Sequence, residues 1–300
     1  MSSQAIDISA PARSWTSYLE LTKPRLSSLV LFTALVGFVA GTDGPIDVFV
    51  LLHLLVGTTL VAGGANALNQ VVERDFDAQI QRTRTRPLPS GRLNPVEALR
   101  FAAIISMVGL FELLVGVNLI AAFFGALALG LYVFVYTPLK RITIHNTLVG
   151  AVVGAIPPMM GWVAARGEVG VGGWLLVAIL FVWQLPHFFS IAWIYRDDYQ
   201  SGGFRMLSVA DGTGLMTRIQ IGLLAMLLIP VSLLPSVWGL TGRLYFNAAF
   251  VIGVAYLGFC LWRRPSVDYQ NNGQSAARRA FLASVVYLPT LLTLYMVDKL

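Results

Sequence analysis

Nine long apolar segments follow one another along the chain, separated by shorter polar stretches. They lie near residues 26–42, 46–68, 97–117, 119–136, 147–165, 172–194, 217–239, 243–262 and 280–298. Each is long enough, or nearly so, to cross about 30 Å of hydrocarbon as a helix. The runs are continuous and do not alternate between apolar and polar residues, which argues against a transmembrane barrel of strands. The pattern therefore predicts an all-α polytopic membrane protein, with about nine transmembrane helices around a central cavity.

The composition supports this interpretation. Hydrophobic residues make up 56% of the 300 residues and charged residues 12%, about half of the ~25% that is usual in globular domains. Such a chain has too little polar surface to cover a water-facing sphere. The single cysteine, Cys260, excludes an internal disulfide and a cysteine-based metal site. No basic stripe is interleaved with aromatic residues, so we expect no nucleic-acid partner.

The basic residues indicate how the helices are oriented. If the N-terminus is cytoplasmic, 18 of the 21 lysines and arginines lie on the cytoplasmic side, and only Arg166, Arg243 and Lys299 lie on the other. Cytoplasmic loops carry such an excess of basic residues. The longer loops, near 69–96, 137–146, 195–216 and 263–279, are then all cytoplasmic. We therefore expect a multi-pass protein of the inner (cytoplasmic) membrane with its active-site mouth in the cytoplasm.

The order of the segments also predicts the organisation of the chain. The second and sixth segments each run into a charged loop, and the fourth and eighth end in the basic pairs Lys140–Arg141 and Arg263–Arg264. This indicates two four-helix halves followed by a ninth helix. We expect residues 1–17 to form a disordered cytoplasmic tail and residues 18–300 to form a single transmembrane domain.

A first cluster of polar residues follows the second apolar segment. Asn69, Glu73 and Asp77 are spaced by four residues and share one face of a continuing helix, whereas Asp75 points elsewhere. Two carboxylates about 6 Å apart repel by roughly 3 kcal/mol at an effective dielectric of about 20, so a cation is needed between them. Oxygen ligands without His or Cys favour Mg²⁺ or Mn²⁺. The alternative is a solvated helix whose charges only set the topology.

Basic residues follow this cluster at once. Arginines bind phosphate groups through paired hydrogen bonds, and Mg²⁺ is usually shared between carboxylates and substrate phosphates. The combination predicts a phosphate or diphosphate ligand. The arginines of this stretch are Arg82, Arg84, Arg86 and Arg92.

A second acidic pair ends the sixth segment. Asp197 and Asp198 lie four segments after the first cluster, and if the second and sixth helices are neighbours the two acidic groups face each other. A second metal ion would then sit between them and a diphosphate. The sequence leaves open which of the two carboxylates binds metal, and an ordinary solvated helix end is the alternative.

Three further residues are candidates for substrate contacts. Lys140 and Arg141 lie in a loop on the predicted cytoplasmic side, where they reach an anionic group or simply set the topology. His187 lies inside the sixth segment, directly after Pro186. Ionisable groups inside a membrane are costly and indicate function, although a histidine bonded to a carbonyl freed by the proline is an equal alternative.

Five segments of the chain together resemble the intramembrane (UbiA-type) prenyltransferases. Their first acidic motif is similar to residues 69–77, and their second to the region of Asp197 and Asp198. The resemblance is closer to the branch that farnesylates haem B, through Pro-His-Phe at 186–188 and Tyr-Arg-Asp-Asp-Tyr at 195–199. The segments are residues 21–25 (Leu-Thr-Lys-Pro-Arg), 69–91, 136–146, 183–188 and 195–207.

The resemblance implies a reaction and a set of site residues. Farnesyl diphosphate ionises with the help of Mg²⁺ and basic residues, the allylic cation alkylates a vinyl group of haem B, and water completes the side chain to give haem O. His187 is implied as a haem contact and axial ligand. The implied partners are farnesyl diphosphate, haem B, the lipid bilayer and a downstream haem-modifying enzyme. The implied catalytic residues are Asn69, Glu73, Asp77, Asp197 and Asp198, with metal bound by Asn69, Glu73, Asp77 and Asp198.

Two alternatives to this function remain. An intramembrane prenyltransferase for an aromatic or quinone precursor shares the diphosphate site but not the segment 183–188. A polytopic transporter would place paired charges or broken helices near the bilayer midplane, whereas the acidic residues here cluster at one predicted face.

Overall fold

The computed structural model of this protein describes residues 15–261 and 269–300. Within those ranges the chain is helical, contains no β-strand and has nine helices long and apolar enough to cross a membrane. The predicted all-α polytopic fold is thus confirmed. Residues 1–14 of the predicted tail, together with Arg263 and Arg264, lie outside the described residues. Residues 15–17 begin a helix and do not belong to a tail.

The helices are named in chain order. They are α1 (Trp15–Leu21), α2 (Pro24–Gly41), α3 (Val48–Asp77), α4 (Pro95–Gly116), α5 (Leu119–Gly130), continued by a π-helix (Leu131–Tyr136) and α6 (Thr137–Leu139), α7 (Asn146–Gly154), α8 (Ile156–Arg166), α9 (Val171–Ile194), α10 (Arg196–Ser201), α11 (Leu207–Ala210), α12 (Leu215–Val237), α13 (Arg243–Leu261) and α14 (Tyr269–Val297).

The membrane-spanning helices follow one another around a ring, which closes where α14 packs against α2. Helices α2 and α8 approach each other closely. A side chain on Gly37 would overlap the carbonyl oxygen of Pro158, and one on Gly161 would overlap that of Ala34. These two glycines therefore let the backbones meet. The fifth span breaks at Ala155, between α7 and α8, because Pro157 and Pro158 lie in the first turn of α8 and cannot donate backbone hydrogen bonds to α7.

Helix α3 is much longer than its apolar segment. It runs for 30 residues and ends at Asp77, about nine residues beyond the predicted end of the span. The extra turns are not a solvated extension, since Asn66, Asn69, Gln70 and Glu73 are all buried in protein. The helix therefore carries a polar face into the interior of one end of the bundle.

The fourth span contains a feature that the sequence pattern did not predict. After α5 the chain continues as a π-helix, Leu131–Tyr136, before α6. A hydroxyl group stabilises the wider turn, because Thr137 Oγ1 donates to the carbonyl of Tyr132 at 2.8 Å. π-Helical turns are rare and frequently occur at functional sites. Here the turn brings Tyr136 and Thr137 next to α3.

Helix α1 is fastened to the loop that follows α3. Arg92 donates to both carboxylate oxygens of Glu20, at 2.8 and 3.1 Å, and to the carbonyl of Thr85 at 2.7 Å. The ring of Tyr18 packs edge-on against Phe101 at 5.1 Å. These contacts explain why residues 15–17 are helical. They also show that Arg92, one of the arginines expected at the anion site, is engaged elsewhere.

Candidate active site

The end of α3 carries three polar side chains on one buried face. Asn69, Glu73 and Asp77 are 1%, 5% and 2% exposed, whereas the side chain of Asp75 is 74% exposed. The helical phase expected from the spacing is therefore the one that the structure has. Burial of two carboxylates on one helix face is costly unless each is paired.

A basic side chain meets each of these three residues. Lys140 Nζ lies 2.7 Å from Glu73 Oε1, and Arg86 Nη1 lies 2.6 Å from Asp77 Oδ2. Lys23 Nζ donates to Asn69 Oδ1 at 3.3 Å, and the amide of Asn69 donates to the hydroxyl of Thr137 at 3.1 Å. Cations from three different parts of the chain thus converge on the polar face of α3.

The loop after α3 folds back, so that Arg86 lies beside Asp77 at the end of α3. Thr83 Oγ1 donates to the carbonyl of Asp77 at 2.8 Å, and the backbone N–H of Arg84 donates to the carbonyl of Ile80 at 2.9 Å. These short-range bonds reverse the chain within nine residues. Arg84 is exposed and forms no ion pair with any residue that the structure describes.

The two carboxylates of the second acidic pair differ in exposure and in their contacts. Asp198 is 28% exposed and its carboxylate lies 3.5 Å from Arg82 Nε, in the loop after α3. The guanidinium of Arg82 also lies 4.9 Å from the ring of Tyr195. Asp197 is 84% exposed and contacts its neighbour Arg196 at 3.6 Å. Of the two carboxylates, Asp198 is therefore the one that faces the first cluster.

The two acidic regions meet through their loops. Helices α3 and α9 do not pack extensively against each other, so the condition that the second and sixth helices are neighbours is not met by the helices themselves. A small apolar cluster of Ile80, Phe204 and Met206 joins the loops instead. The connection after the fourth span contacts the loop after α10 as well, since the backbone N–H of Arg205 donates to the carbonyl of Lys140 at 2.8 Å.

Lys140 and Arg141 have different surroundings. The ammonium of Lys140 lies 4.8 Å from the ring centre of Tyr136 and 5.9 Å from that of Phe204. Burial favours the neutral form of this lysine, but the charge of Glu73, the hydrogen bond to it and the nearby Tyr132 and Tyr199 together outweigh burial, so the pKa of Lys140 is raised. Arg141 stacks its guanidinium 3.3 Å from the ring centre of Phe76, at the edge of the site.

Lys23 is a site residue that sequence reasoning counted only toward topology and the family resemblance. It precedes Pro24, which opens the first span, and its side chain is half-buried beside α3. Burial lowers the pKa of Lys23 to about 7, and the positive charges of Arg86 and Lys140 add to the effect. A lysine directly before the first apolar segment was the available signal, but nothing in the pattern placed it at α3.

His187 lies apart from the charged cluster. Its Nδ1 is 2.7 Å from Ser284 Oγ on α14, its ring stacks on Trp183 at 4.9 Å, and Phe281 lies at 5.0 Å. In the part of the chain that the structure describes, these contacts place it between α9 and α14. It does not touch the acidic residues.

The donor set at the end of α3 fits a hard divalent cation. The available ligand atoms are the amide oxygen of Asn69 and the carboxylates of Glu73 and Asp77, all oxygens. No group of three or more His, Cys, Asp or Glu side chains converges within residues 15–261 and 269–300. The all-oxygen donor set suits Mg²⁺, which usually takes one or two carboxylates and completes its shell with water and substrate oxygens.

The fold is similar to that of solved structures. A digeranylgeranylglyceryl phosphate synthase aligns with a TM-score of 0.77 at 16% identity, covering 94% of this chain and 97% of that one. A UbiA homolog from Archaeoglobus fulgidus, bound to GPP and Mg²⁺, aligns with a TM-score of 0.69 at 13% identity, covering 93% and 99%. At these identities the similarity establishes the fold.

Sequence relatives are considerably closer. The protoheme IX farnesyltransferase of Solibacter usitatus (strain Ellin6076) is 43% identical over 291 residues, and that of Salinibacter ruber (strain DSM 13855 / M31) is 44% identical over 282 residues. Each alignment covers 94% of this chain and 98% of the relative. Residues 30–285 match the UbiA prenyltransferase family. The chain therefore belongs to the UbiA prenyltransferase family.

Proposed function

We propose that this protein transfers a farnesyl group from farnesyl diphosphate to a vinyl group of haem B (protoheme IX), giving haem O and diphosphate. The observation that carries the reaction class is the buried oxygen face of Asn69, Glu73 and Asp77, met by Lys23, Lys140 and Arg86. The farnesyl donor and haem acceptor are supported by the two protoheme IX farnesyltransferases, which align over nearly their whole length.

Mg²⁺ would be held by Asn69, Glu73 and Asp77, with Asp198 approaching from the second loop. The Archaeoglobus homolog of the same fold binds GPP together with Mg²⁺. When bound, the metal neutralises part of the diphosphate charge and so makes diphosphate a better leaving group.

The basic residues of the site would bind the diphosphate. Lys140 and Arg86 pair with Glu73 and Asp77, and a metal on these carboxylates frees both cations for the phosphate oxygens. Arg82, between Asp198 and Tyr195, approaches from the second loop, and Arg84 and Arg141 lie at the exposed edge. Positive groups fixed where negative charge develops lower the barrier to ionisation.

Bond changes at the two substrates then balance. The C–O bond of farnesyl diphosphate breaks, and its electron pair leaves with diphosphate. The terminal vinyl carbon of haem B donates its π electrons to the allylic cation, and a C–C bond forms. Water adds to the resulting cation beside the porphyrin ring and loses a proton. A lipid-embedded helix bundle would protect the allylic cation from early reaction with water.

The haem would lie toward His187. Its Nδ1 is engaged by Ser284, which leaves Nε2 available to the haem iron, and Trp183 and Phe281 offer aromatic surface beside it. The separation of His187 from the acidic cluster suits two substrates with different binding regions. The role of His187 as a haem contact and axial ligand is part of the proposal. The assignment of the other site residues from the family resemblance is part of it as well.

The proposal extends to the cellular setting. The protein is a multi-pass membrane protein, and the order of apolar segments and basic residues in the sequence predicts 18 of its 21 basic residues on one side. We infer that this side, with the diphosphate site, is cytoplasmic, that the membrane is the inner membrane, and that haem O passes to a downstream haem-modifying enzyme.

Extraction of haem from cells tests the function. Cells that express the protein should contain haem O by mass spectrometry, and matched cells without it should contain haem B alone. Expression of an Asp77→Asn variant controls for the presence of the folded chain. Equal haem profiles in all three strains would contradict the proposed acceptor.

A further inference from the structure

The turn between α1 and α2 is strained at Lys23. Its backbone has φ 49° and ψ 61°, and it is the one residue other than glycine with positive φ among residues 15–261 and 269–300. The left-handed conformation brings Cβ too close to the following carbonyl oxygen. Such a residue persists only where the surrounding structure holds it, and it is often part of a functional site.

Buried amides of α3 hold this turn. Gln70 Nε2 donates to the carbonyl of Leu21 at 2.9 Å, and Asn66 Nδ2 donates to the carbonyl of Thr22 at 3.2 Å. Gln70 is 1% and Asn66 6% exposed. Ser27 Oγ adds a bond to the carbonyl of Thr22 at 3.2 Å. The two carbonyls that precede Lys23 are thus fixed by side chains that flank Asn69 on α3.

The held turn places a cation in the site without an anionic partner. Glu73 already has Lys140, and Asp77 already has Arg86, each within 2.7 Å. The hydrogen-bond partner of Lys23 within the described ranges is the neutral amide oxygen of Asn69, at 3.3 Å. An ammonium has three donors, and one of them is used by Asn69, so two remain available to a ligand.

We propose that Lys23 is a diphosphate-binding residue, presented to the site by a strained turn that α3 holds in place. The inference rests on the proposed function. It adds a cation that precedes α2 to Arg86, in the loop after α3, and Lys140, directly after α6. Together with Lys140 and Arg86, it would give a diphosphate basic groups from three separate parts of the chain. The strain is then a stability cost retained for substrate binding.

Two substitutions separate this role from a structural one. Lys23→Gly removes both the ammonium and the backbone strain, so it should raise the midpoint of thermal unfolding while weakening anion binding. Lys23→Met keeps the strain and removes the charge, so it should weaken anion binding to the same degree without the gain in stability. Arg25→Met is the matched control, because Arg25 is an exposed cation two residues away.

Isothermal titration of the purified, lipid-reconstituted full chain with inorganic pyrophosphate and Mg²⁺ gives the dissociation constant that tests the inference. Loss of one charged hydrogen-bonding group is expected to raise the dissociation constant about tenfold or more in both Lys23 variants, with Arg25→Met within about twofold of the unchanged protein. Either Lys23 variant binding within about twofold of the unchanged protein would overturn the inference. A second variant protects the test if the first fails to fold.

Pyrophosphate also separates this inference from the proposed function. If the unchanged protein binds pyrophosphate and the Lys23 variants do not, the inference stands even where no haem O forms, and it is the proposed transfer of farnesyl to haem B that is wrong. If the unchanged protein does not bind pyrophosphate with Mg²⁺, both the diphosphate site and the role of Lys23 are refuted.

Discussion

Arg86 returns across nine residues of chain to place its guanidinium 2.6 Å from the buried carboxylate of Asp77. The pair explains how an acidic residue that is 2% exposed is tolerated at the end of α3. It also indicates how the site is used. In the proposed site, Asp77 would bind a metal ion and Arg86 would then pair with the diphosphate, so that no charge would be left unpaired in either state.

Removal of the Asp77 carboxylate should abolish turnover. Asp77→Asn keeps the shape but loses a metal-binding charge and leaves Arg86 without its partner, so we expect a loss of about 100-fold or more, equivalent to about 2.7 kcal/mol of transition-state stabilisation. The measurement is kcat/KM for haem O formation. Asp75→Asn, an exposed carboxylate on the same helix, should retain near-normal activity; similar losses in the two variants would show that helix charge and not metal binding matters.

Substitution of Asp198 should reduce activity more than substitution of Asp197. Asp198 faces Arg82 in the loop after α3, whereas Asp197 is 84% exposed. Asp198→Asn is therefore expected to reduce kcat/KM at least about tenfold more than Asp197→Asn, a difference of about 1.4 kcal/mol. Parallel kinetics on the two variants, with the Mg²⁺ concentration varied, provide the comparison. A larger effect at Asp197 would mean that the loop closes differently around substrate.

Lys140 and Glu73 form a buried pair whose two roles can be separated. Lys140→Met leaves the Glu73 carboxylate buried and unpaired, which should destabilise the fold by about 3 kcal/mol. Adding Glu73→Gln should restore most of that stability, because neither charge then remains. Activity should stay low in the double variant, since both the metal and diphosphate contacts are gone. Recovery of activity along with stability would remove this pair from the proposed site.

Arg92 should behave as a structural residue despite its place among the loop arginines. Its guanidinium binds Glu20 and the carbonyl of Thr85. A double-mutant cycle of Arg92→Gln and Glu20→Gln, read out by unfolding, should give a coupling of about 0.5–1 kcal/mol, as for a partly exposed pair. Pyrophosphate affinity of Arg92→Gln should match that of the unchanged protein, and a tenfold loss would return Arg92 to the anion site.

The spans and the polar face of α3 could be predicted because both are local. Hydropathy locates the helices, and a spacing of four residues fixes the face that Asn69, Glu73 and Asp77 share. The burial of that face could not be predicted, because it depends on Lys140 and on loops that meet it from distant parts of the chain. Whether the second and sixth helices are neighbours was left open for the same reason.

The residues that were missed depend on backbone geometry. Lys23 reaches the site only because side chains of α3, 44 and 49 residues away in sequence, fix the turn before it. Tyr136 and Thr137 reach it through a π-helix that no periodicity reveals. Arg92 shares its sequence surroundings with Arg86 and differs from it by binding Glu20, 72 residues away.

The central claim is the chemistry of the acceptor, and one competition assay tests it most directly. The purified protein in lipid nanodiscs would receive haem B, farnesyl diphosphate and Mg²⁺, with 4-hydroxybenzoate present as a competing acceptor, and products would be identified by mass spectrometry. We predict haem O and diphosphate in equal amounts, no prenylated hydroxybenzoate, and no product after removal of Mg²⁺ by a chelator. Prenylated hydroxybenzoate beside unchanged haem B would contradict the account.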